Sequence, residues 1–327
     1  MNIRPLDLLD LPILSRYRNE ALLLDSTRAL TRGNPLSAAG FLSHFNPARH
    51  IYTAIAKEDG DSLLGCVIHA PDETFARLLY LAPSPLLTHP GLAALIENLS
   101  AQAGTWGAFQ VVAEVDETSE AFPALRNSGF AVYAWQRVWD LSSIAEAAAG
   151  SGWTRTREAD LPAIQSLYHQ IVPPLLQAVE SMPRRAEGFV CGEGTRHHVQ
   201  VSHGAAGVML IPLIHPDSER AGERLASLLG SLPARGTRPV YLRVRSYQAW
   251  LEPALADLGA RAGERQAVMV KHLTRRIKDE ETVKAVRPAG ASVQPSRMSR
   301  AETGEVSGVS QKPAANIPPE SSPRGAG

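Results

Sequence analysis

Apolar residues recur along this chain with two distinct periods. At Leu92, Leu95, Ile96 and Leu99, and again at Leu225, Leu228, Leu229 and Leu232, they fall at i, i+3, i+4 and i+7, the stripe of a helix with one buried face. Ile164, Leu167, Tyr168 and Ile171 have the same spacing, and Pro173-Pro174 ends that helix. Elsewhere the apolar runs are short and strand-like. Ile51–Lys57 and Leu63–His69 flank Glu58-Asp59-Gly60-Asp61, where Asp-Gly signals a hairpin, and Phe75–Leu81 adds a third strand. Gly188–Cys191, His197–Ser202 and Gly207–Ile214 follow in the same order later. Two further strands, Asn2–Pro5 and Trp153–Arg157, each precede an Asp-Leu-Pro, at Asp10-Leu11-Pro12 and Asp160-Leu161-Pro162. That tripeptide reads as an N-cap with proline in the first helical turn, where a missing N–H costs nothing.

The pattern therefore occurs twice. Val111–Val115 is followed by Pro123-Ala124-Leu125 and Gly129; Tyr241–Arg245 is followed by Pro253-Ala254-Leu255 and Gly259. Strand, tripeptide and glycine keep one offset of 130, as do Gln136 with Gln266 and Val138 with Val268. The starts of the copies are 150 apart, so the second copy is about twenty residues shorter in its middle. Each copy reads β-α-β-β-β-α-β-α-β. The expected organisation is a first domain at 1–141, a linker at 142–152 rich in Ala, Ser and Gly, a shortened second domain at 153–274, and a disordered tail at 275–327.

Composition narrows the partners. Lys plus Arg and Asp plus Glu both number 33, so no field of one sign draws nucleic acid or anionic lipid. Cys66 and Cys191 are too few and too far apart for a disulfide framework or a zinc site. The N-terminal stretch carries Asp7 and Asp10 and no long apolar run. A soluble cytoplasmic protein with no membrane span is expected.

Taken together, a strand and helix, a three-strand antiparallel meander, a helix, then strand-helix-strand with Gly129-Phe130 opening the last strand resembles the GNAT superfamily of N-acetyltransferases. The resemblance covers about 1–141 and, more weakly, 153–273. It implies an α/β fold of two tandem GNAT-like domains, each a mixed, largely antiparallel sheet flanked by helices. It also implies an acyl-CoA-dependent N-acyltransferase with acetyl-CoA as cosubstrate, no metal, and a small-molecule or peptide amine as acceptor. In that family the cofactor lies where two central strands splay. Its pyrophosphate sits at the N-terminus of the next helix, where free N–H groups and the helix dipole favour an anion.

Carried onto this sequence, the resemblance implies cofactor contacts at Leu81, Thr88, His89, Gly91, Leu92 and Ala93. Gly91 and Ala93 supply the small residues that let backbone approach phosphate. Thr88 replaces the family's Gln or Arg, and Pro90 removes one N–H. The second copy has Arg224 in place of the glycine and Glu223 beside it, which predicts no ordinary CoA site there. The family's proton-donating tyrosine is replaced by Leu125 and Leu255. Glu114 is the candidate general base, its bland reading being a solvated or ion-paired strand residue, and Tyr80 is a candidate proton donor that would otherwise simply pack. The acceptor is expected near the first helices and the loop around Arg28–Pro35. The rival expectations are a non-catalytic GNAT-like protein that binds CoA or a partner, and a scaffold that binds no CoA.

Two other signals are weaker. His197 and His198 are adjacent on a strand and face opposite ways, while His197 and His203 share a face but stand roughly 20 Å apart. Only a bend between them would let them share an ion. Gly192-Glu193-Gly194 is too short for a dinucleotide fingerprint and reads as a turn.

Overall fold

The computed structural model describes residues 2–37, 50–58, 61–144, 152–192, 195–232 and 238–273. The Asp59-Gly60 turn, Glu193 and Gly194, positions 145–151 of the joint and the tail from 274 lie outside the described residues. The first copy contributes β1 (Asn2–Pro5), α1 (Leu11–Arg16), β2 (Leu22–Leu23), α2 (Ser26–Arg32), β3 (His50–Glu58), β4 (Asp61–His69) and β5 (Phe75–Ala82). It continues with α3 (Gly91–Thr105), β6 (Gln110–Asp116), α4 (Ala121–Asn127) and β7 (Ala131–Asp140). The second contributes β8 (Trp153–Arg155), α5 (Leu161–Ile171), β9 (Phe189–Cys191), β10 (His197–His203) and β11 (Val208–Ile214). Its remaining elements are α6 (Ala221–Ser231), β12 (Val240–Arg245), α7 (Glu252–Asp257) and β13 (Arg261–His272).

The predicted order of elements is present in both copies, with β2 and α2 added in the first. The segment read as a loop around Arg28–Pro35 is helical as far as Arg32. Asp25 caps that helix, its carboxylate accepting from the Arg28 N–H at 2.9 Å. Sequence gave no sign of it because α2 has no apolar stripe of its own; it is held by the second copy. Thr31 O accepts from the Ala206 N–H at 2.9 Å, and a Cβ on Gly204 would stand 2.0 Å from that same oxygen. Only glycine at 204 allows the approach.

All the strands join one sheet, in the order β1-β3-β4-β5-β6-β13-β7-β12-β11-β10-β9-β8, with β2 against β5. The closing strands are exchanged. β13, from the second copy, lies antiparallel between β6 and β7, and β7, from the first, pairs with β12. Gln136 stands opposite Gln266 where β7 and β13 meet. These two residues are equivalents in the repeat, so a pseudo-twofold axis passes between them. The registers also refine the repeat: Asp116 faces Gln266 as Arg245 faces Gln136, so β6 and β12 correspond one residue out of step with the offset of 130.

Alternate residues on the central strands face alternate layers. Val111, Ala113 and Val115 pack with Leu92, Leu95, Ile96 and Leu99 of α3 and with Leu125 of α4. Leu242 and Val244 pack likewise with Leu225, Leu228 and Leu229 of α6 and Leu255 of α7. Val112, Val268 and Val270 face the other layer, against Leu167 and Tyr168 of α5. The ends of α4 and α7 match closely. Gly129 and Gly259 adopt φ of +87° and +82°, and Phe130 and Ala260 donate their N–H to the carbonyls of Leu125 and Leu255. This is the left-handed helix termination that glycine makes inexpensive, and it explains why Gly recurs at the same place in both copies.

Candidate functional site

Both copies contain a splay. β5 and β6 run parallel but pair only from Phe75–Gln110 to Arg77–Val112, although β5 continues to Ala82 and β6 to Asp116. β11 and β12 pair only from Val208–Val240 to Leu210–Leu242. Past each vertex the peptide groups on the facing edges need partners, because an unpaired buried N–H or C=O is costly.

In the first copy main chain supplies them. Leu22 and Leu23 pair with Leu81 and Tyr80, and the Ser84 N–H donates to Glu20 O at 2.8 Å. The Leu24 peptide bridges the vertex: its N–H donates to Leu79 O and its carbonyl accepts from the Glu114 N–H, both at 2.8 Å. In the second copy one side chain does the same work. The Gln248 carboxamide accepts from the Ile214 N–H at 3.0 Å and donates to Pro212 O at 2.9 Å, in a position only 2 % exposed. Pro212 and Ile214 lie two and four residues past the vertex, as Leu79 and Leu81 do.

At the open end of the first splay stands the N-terminus of α3. Thr88 and Ala93 are exposed there and Gly91 and Leu92 are buried. His89 engages two of the N–H groups: its Nδ1 accepts from Gly91 at 2.9 Å and its carbonyl from Leu92 at 3.0 Å. Leu81 is fully buried, its backbone paired with β2. In the second copy Arg224 reaches back to His197 Nδ1 at 3.2 Å, and its carbonyl accepts from the Trp153 indole at 2.8 Å.

Under both vertices, on the face that carries α2 and α5, lies a cavity of about 390 Å³. Leu24, Val112 and Glu114 line it from the first copy, and Pro212, Leu213 and Gln248 from the second. Its floor is a buried charge cluster. Arg245 pairs with Glu180 at 2.5 Å and Glu114 at 3.2 Å; Arg243 lies 3.6 Å from Glu114 and 3.7 Å from Glu180. Glu114 Oε2 also accepts from the Ser26 N–H at 2.9 Å. Arg245 donates to Gln136 Oε1, and Gln136 donates to Gln266 at 2.8 Å on the pseudo-axis.

Burial opposes the charge on Glu114, but Arg245 and Arg243, joined by the Ser26 N–H, outweigh it and hold the carboxyl well below its ordinary value. Glu114 thus faces the cavity as a firmly ionised group with little appetite for a proton. Tyr80 lies elsewhere, fully buried among Leu14, Ile55, Leu64 and Cys66 under α1, where burial pushes its hydroxyl up. Burial likewise pushes the Cys66 thiol up to about 12. His197 and His198 are buried on opposite faces, His197 against Trp153 and Arg224, His198 toward the Glu187 carbonyl. Among the described residues, no three His, Cys, Asp or Glu side chains group as metal ligands, and no helix is long and apolar enough to cross a membrane.

Glu114 was singled out in the sequence, whereas Arg243, Arg245, Glu180 and Gln248, which line the same cavity, were not. One signal was available: Val240-Tyr241-Leu242-Arg243-Val244-Arg245 alternates arginine with apolar residues in the strand that repeats Val111–Val115, so both arginines fall on one face of it.

No family model and no curated protein matches the chain in sequence. Solved structures match in shape. A GCN5-related N-acetyltransferase from Sphaerobacter thermophilus aligns over 83% of this chain and 95% of its own, with 16% identity and a TM-score of 0.53. A proposed acetyltransferase from Pyrococcus horikoshii aligns over 84% and 89%, with 11% identity and a TM-score of 0.51. A tandem GNAT protein from the clavulanic acid biosynthesis pathway aligns over 83% and 98%, with 14% identity and a TM-score of 0.48. At these coverages the first two matches run through both copies. With its paired splays, its glycine-led helix α3 and the first two of these neighbours, the chain has the fold of the GCN5-related N-acetyltransferases.

Proposed function

We propose that this chain is an acyl-CoA-dependent N-acyltransferase working through its first copy, residues 1–141, with acetyl-CoA as cosubstrate and a small amine as acceptor. One observation carries the reading: the β5–β6 splay has a helix N-terminus at its open end and a polar cavity at its vertex. A donor and an acceptor on opposite faces of the sheet would meet beside Val112 and Glu114, in the space that Leu24 bridges here. Direct transfer to an amine requires that the two be held together and needs no covalent enzyme nucleophile. On the donor side Gly91 and Ala93 leave room for backbone to approach a phosphate, and the N–H groups now engaged by His89 would turn to it. On the acceptor side Glu114 acts through its fixed charge, ordering Arg243 and Arg245 along the cavity floor. In this reading Glu20 to Leu24 leave the edge of β5 when the cofactor binds.

Calorimetry with acetyl-CoA, followed by thiol release over a panel of amines, tests the proposal. Gly91→Asp places a like charge and a side chain against the pyrophosphate and is expected to abolish binding. Unchanged affinity would remove the site from α3. A second reading, a non-catalytic protein of this fold that binds CoA or a partner, is favoured by the closure of both splays from within. Acetyl-CoA binding with no thiol released from any amine selects it.

A further inference from the structure

The cavity under the two vertices is more than a void between copies, because its charges do not cancel. The four groups of its floor, Glu114, Glu180, Arg243 and Arg245, balance one another in charge. On the wall formed by the first copy, Arg77 lies 2.8 Å from Glu73 and 4.0 Å from Asp25, and Arg28 lies 3.3 Å from the same Asp25. Two carboxylates, Glu73 and Asp25, thus answer these two guanidiniums. Arg32 on α2 and Arg185 in the stretch between α5 and β9 also line the cavity. Neither has a carboxylate within 4.0 Å among the described residues. Arg28 and Arg32 stand at i and i+4 on one helix; Asp25 answers Arg28, and Arg32 adds a like charge that no carboxylate among the described residues answers. Across from them are the apolar surfaces of Tyr168, Val172 and Leu213.

We propose that this cavity binds a small molecule bearing an oxyanion, a carboxylate or a phosphate, held by Arg28 and Arg32 of the first copy and Arg185 of the second. Guanidinium groups match such anions with paired, charge-assisted hydrogen bonds, and three of them converging from two sides fix its position. The volume lies at the small end of ligand pockets, which fits a metabolite and not a folded partner. The apolar wall takes the ligand's hydrocarbon part. Glu187, which also lines the cavity and is in no ion pair among the described residues, suits a positive end such as an ammonium. The binding site follows from the cavity alone. Its role as the acceptor site rests on the acyl-transfer reading, in which the acceptor is an amine that also carries an oxyanion.

Calorimetry on the full chain without acyl-CoA tests the site, using inorganic phosphate, succinate and uncharged succinamide as probes. Saturable binding of phosphate or succinate, weakened by salt and absent for succinamide, is the expected result, and the tighter of the two identifies the anion's chemistry. Arg32→Gln combined with Arg185→Gln should weaken it about tenfold or more. Both residues are exposed, so the melting temperature should hold. Arg126→Gln, exposed on the opposite face, should change nothing. No saturable binding of either anion, or equal binding by the double variant, overturns the proposal. Thiol release is scored separately: oxyanion binding without turnover leaves the site standing and removes only its assignment as an acceptor pocket.

Discussion

In the first copy, the edge of β5 beyond Arg77 is met by a run of main chain, Glu20 to Leu24, that enters the splay as an extra strand. In the second, the same edge of β11 is met by one carboxamide, that of Gln248, entering from the 3-10 turn after β12. The backbone problem is identical, since a parallel pair that separates leaves peptide groups buried and unpaired. The solutions differ in what would undo them. A short two-residue strand can peel away as a unit, with its hydrogen bonds transferred to whatever replaces it. Gln248 is locked by close packing, and removing its amide leaves two peptide groups with nothing. In the acyl-transfer reading proposed above, the first splay is the one that functions and the second is held as structure. The charged faces of the corresponding strands differ in the same spirit: β6 presents Glu114 and Asp116 where β12 presents Arg243 and Arg245. A repeat that began alike has become complementary across its own axis.

The largest expected effect comes from breaking that complementarity. Glu114→Ala leaves Arg243 and Arg245 short of a buried counter-charge and should cost about 3–5 kcal/mol in chemical denaturation. The pH dependence follows from the direction of the shift. The folded carboxyl titrates below its unfolded value, so its contribution is complete above the unfolded pKa, roughly 4.3, and is lost as pH falls through the lower folded value. Glu114→Gln should therefore flatten the loss of stability below about pH 4.5; an unchanged acid limb would show that the cluster is not linked to folding.

Gln248→Ala is next. It strands the Ile214 N–H and the Pro212 carbonyl and should destabilise by about 1–3 kcal/mol while leaving acetyl-CoA affinity alone. A gain in acetyl-CoA binding by this variant would move the functional splay to the second copy. The smallest effect is one of exchange rates. Hydrogen exchange with and without acetyl-CoA should show the Leu24 and Glu114 amides losing protection when the cofactor enters the first splay, while Ile214 stays protected. Loss of protection at Ile214 alone would reverse the comparison.

Much of this was legible in the residues. The apolar stripes of α3 and α6 are buried as spaced, and the duplicated Pro-Ala-Leu and Gly mark two equal helix ends. Asp10 was half legible: it stands at the start of α1, yet its carboxylate serves Arg4, Lys57 and the Asp7 N–H in place of the helix. Helix α2 was not legible, since its support is a glycine from the other copy, more than 170 positions away. The charge cluster was not legible either. Glu114 on its strand reads as a solvated carboxylate until β12 is known to lie across the axis.

What the sequence determined by itself was the order of elements and the apolar face of each, because these depend on spacing within a dozen residues, and the repeat, because the same local patterns recur at a fixed offset. Only the tertiary structure decided which strand lies beside which. The closing strands β7 and β13 occupy equivalent places in the repeat, and the spacing within each does not say which half it completes. That exchange brings Glu114 to Arg243 and Arg245 and makes one cavity beneath two splays. Pairing between distant strands is a property of the assembled sheet, and the site was built by it.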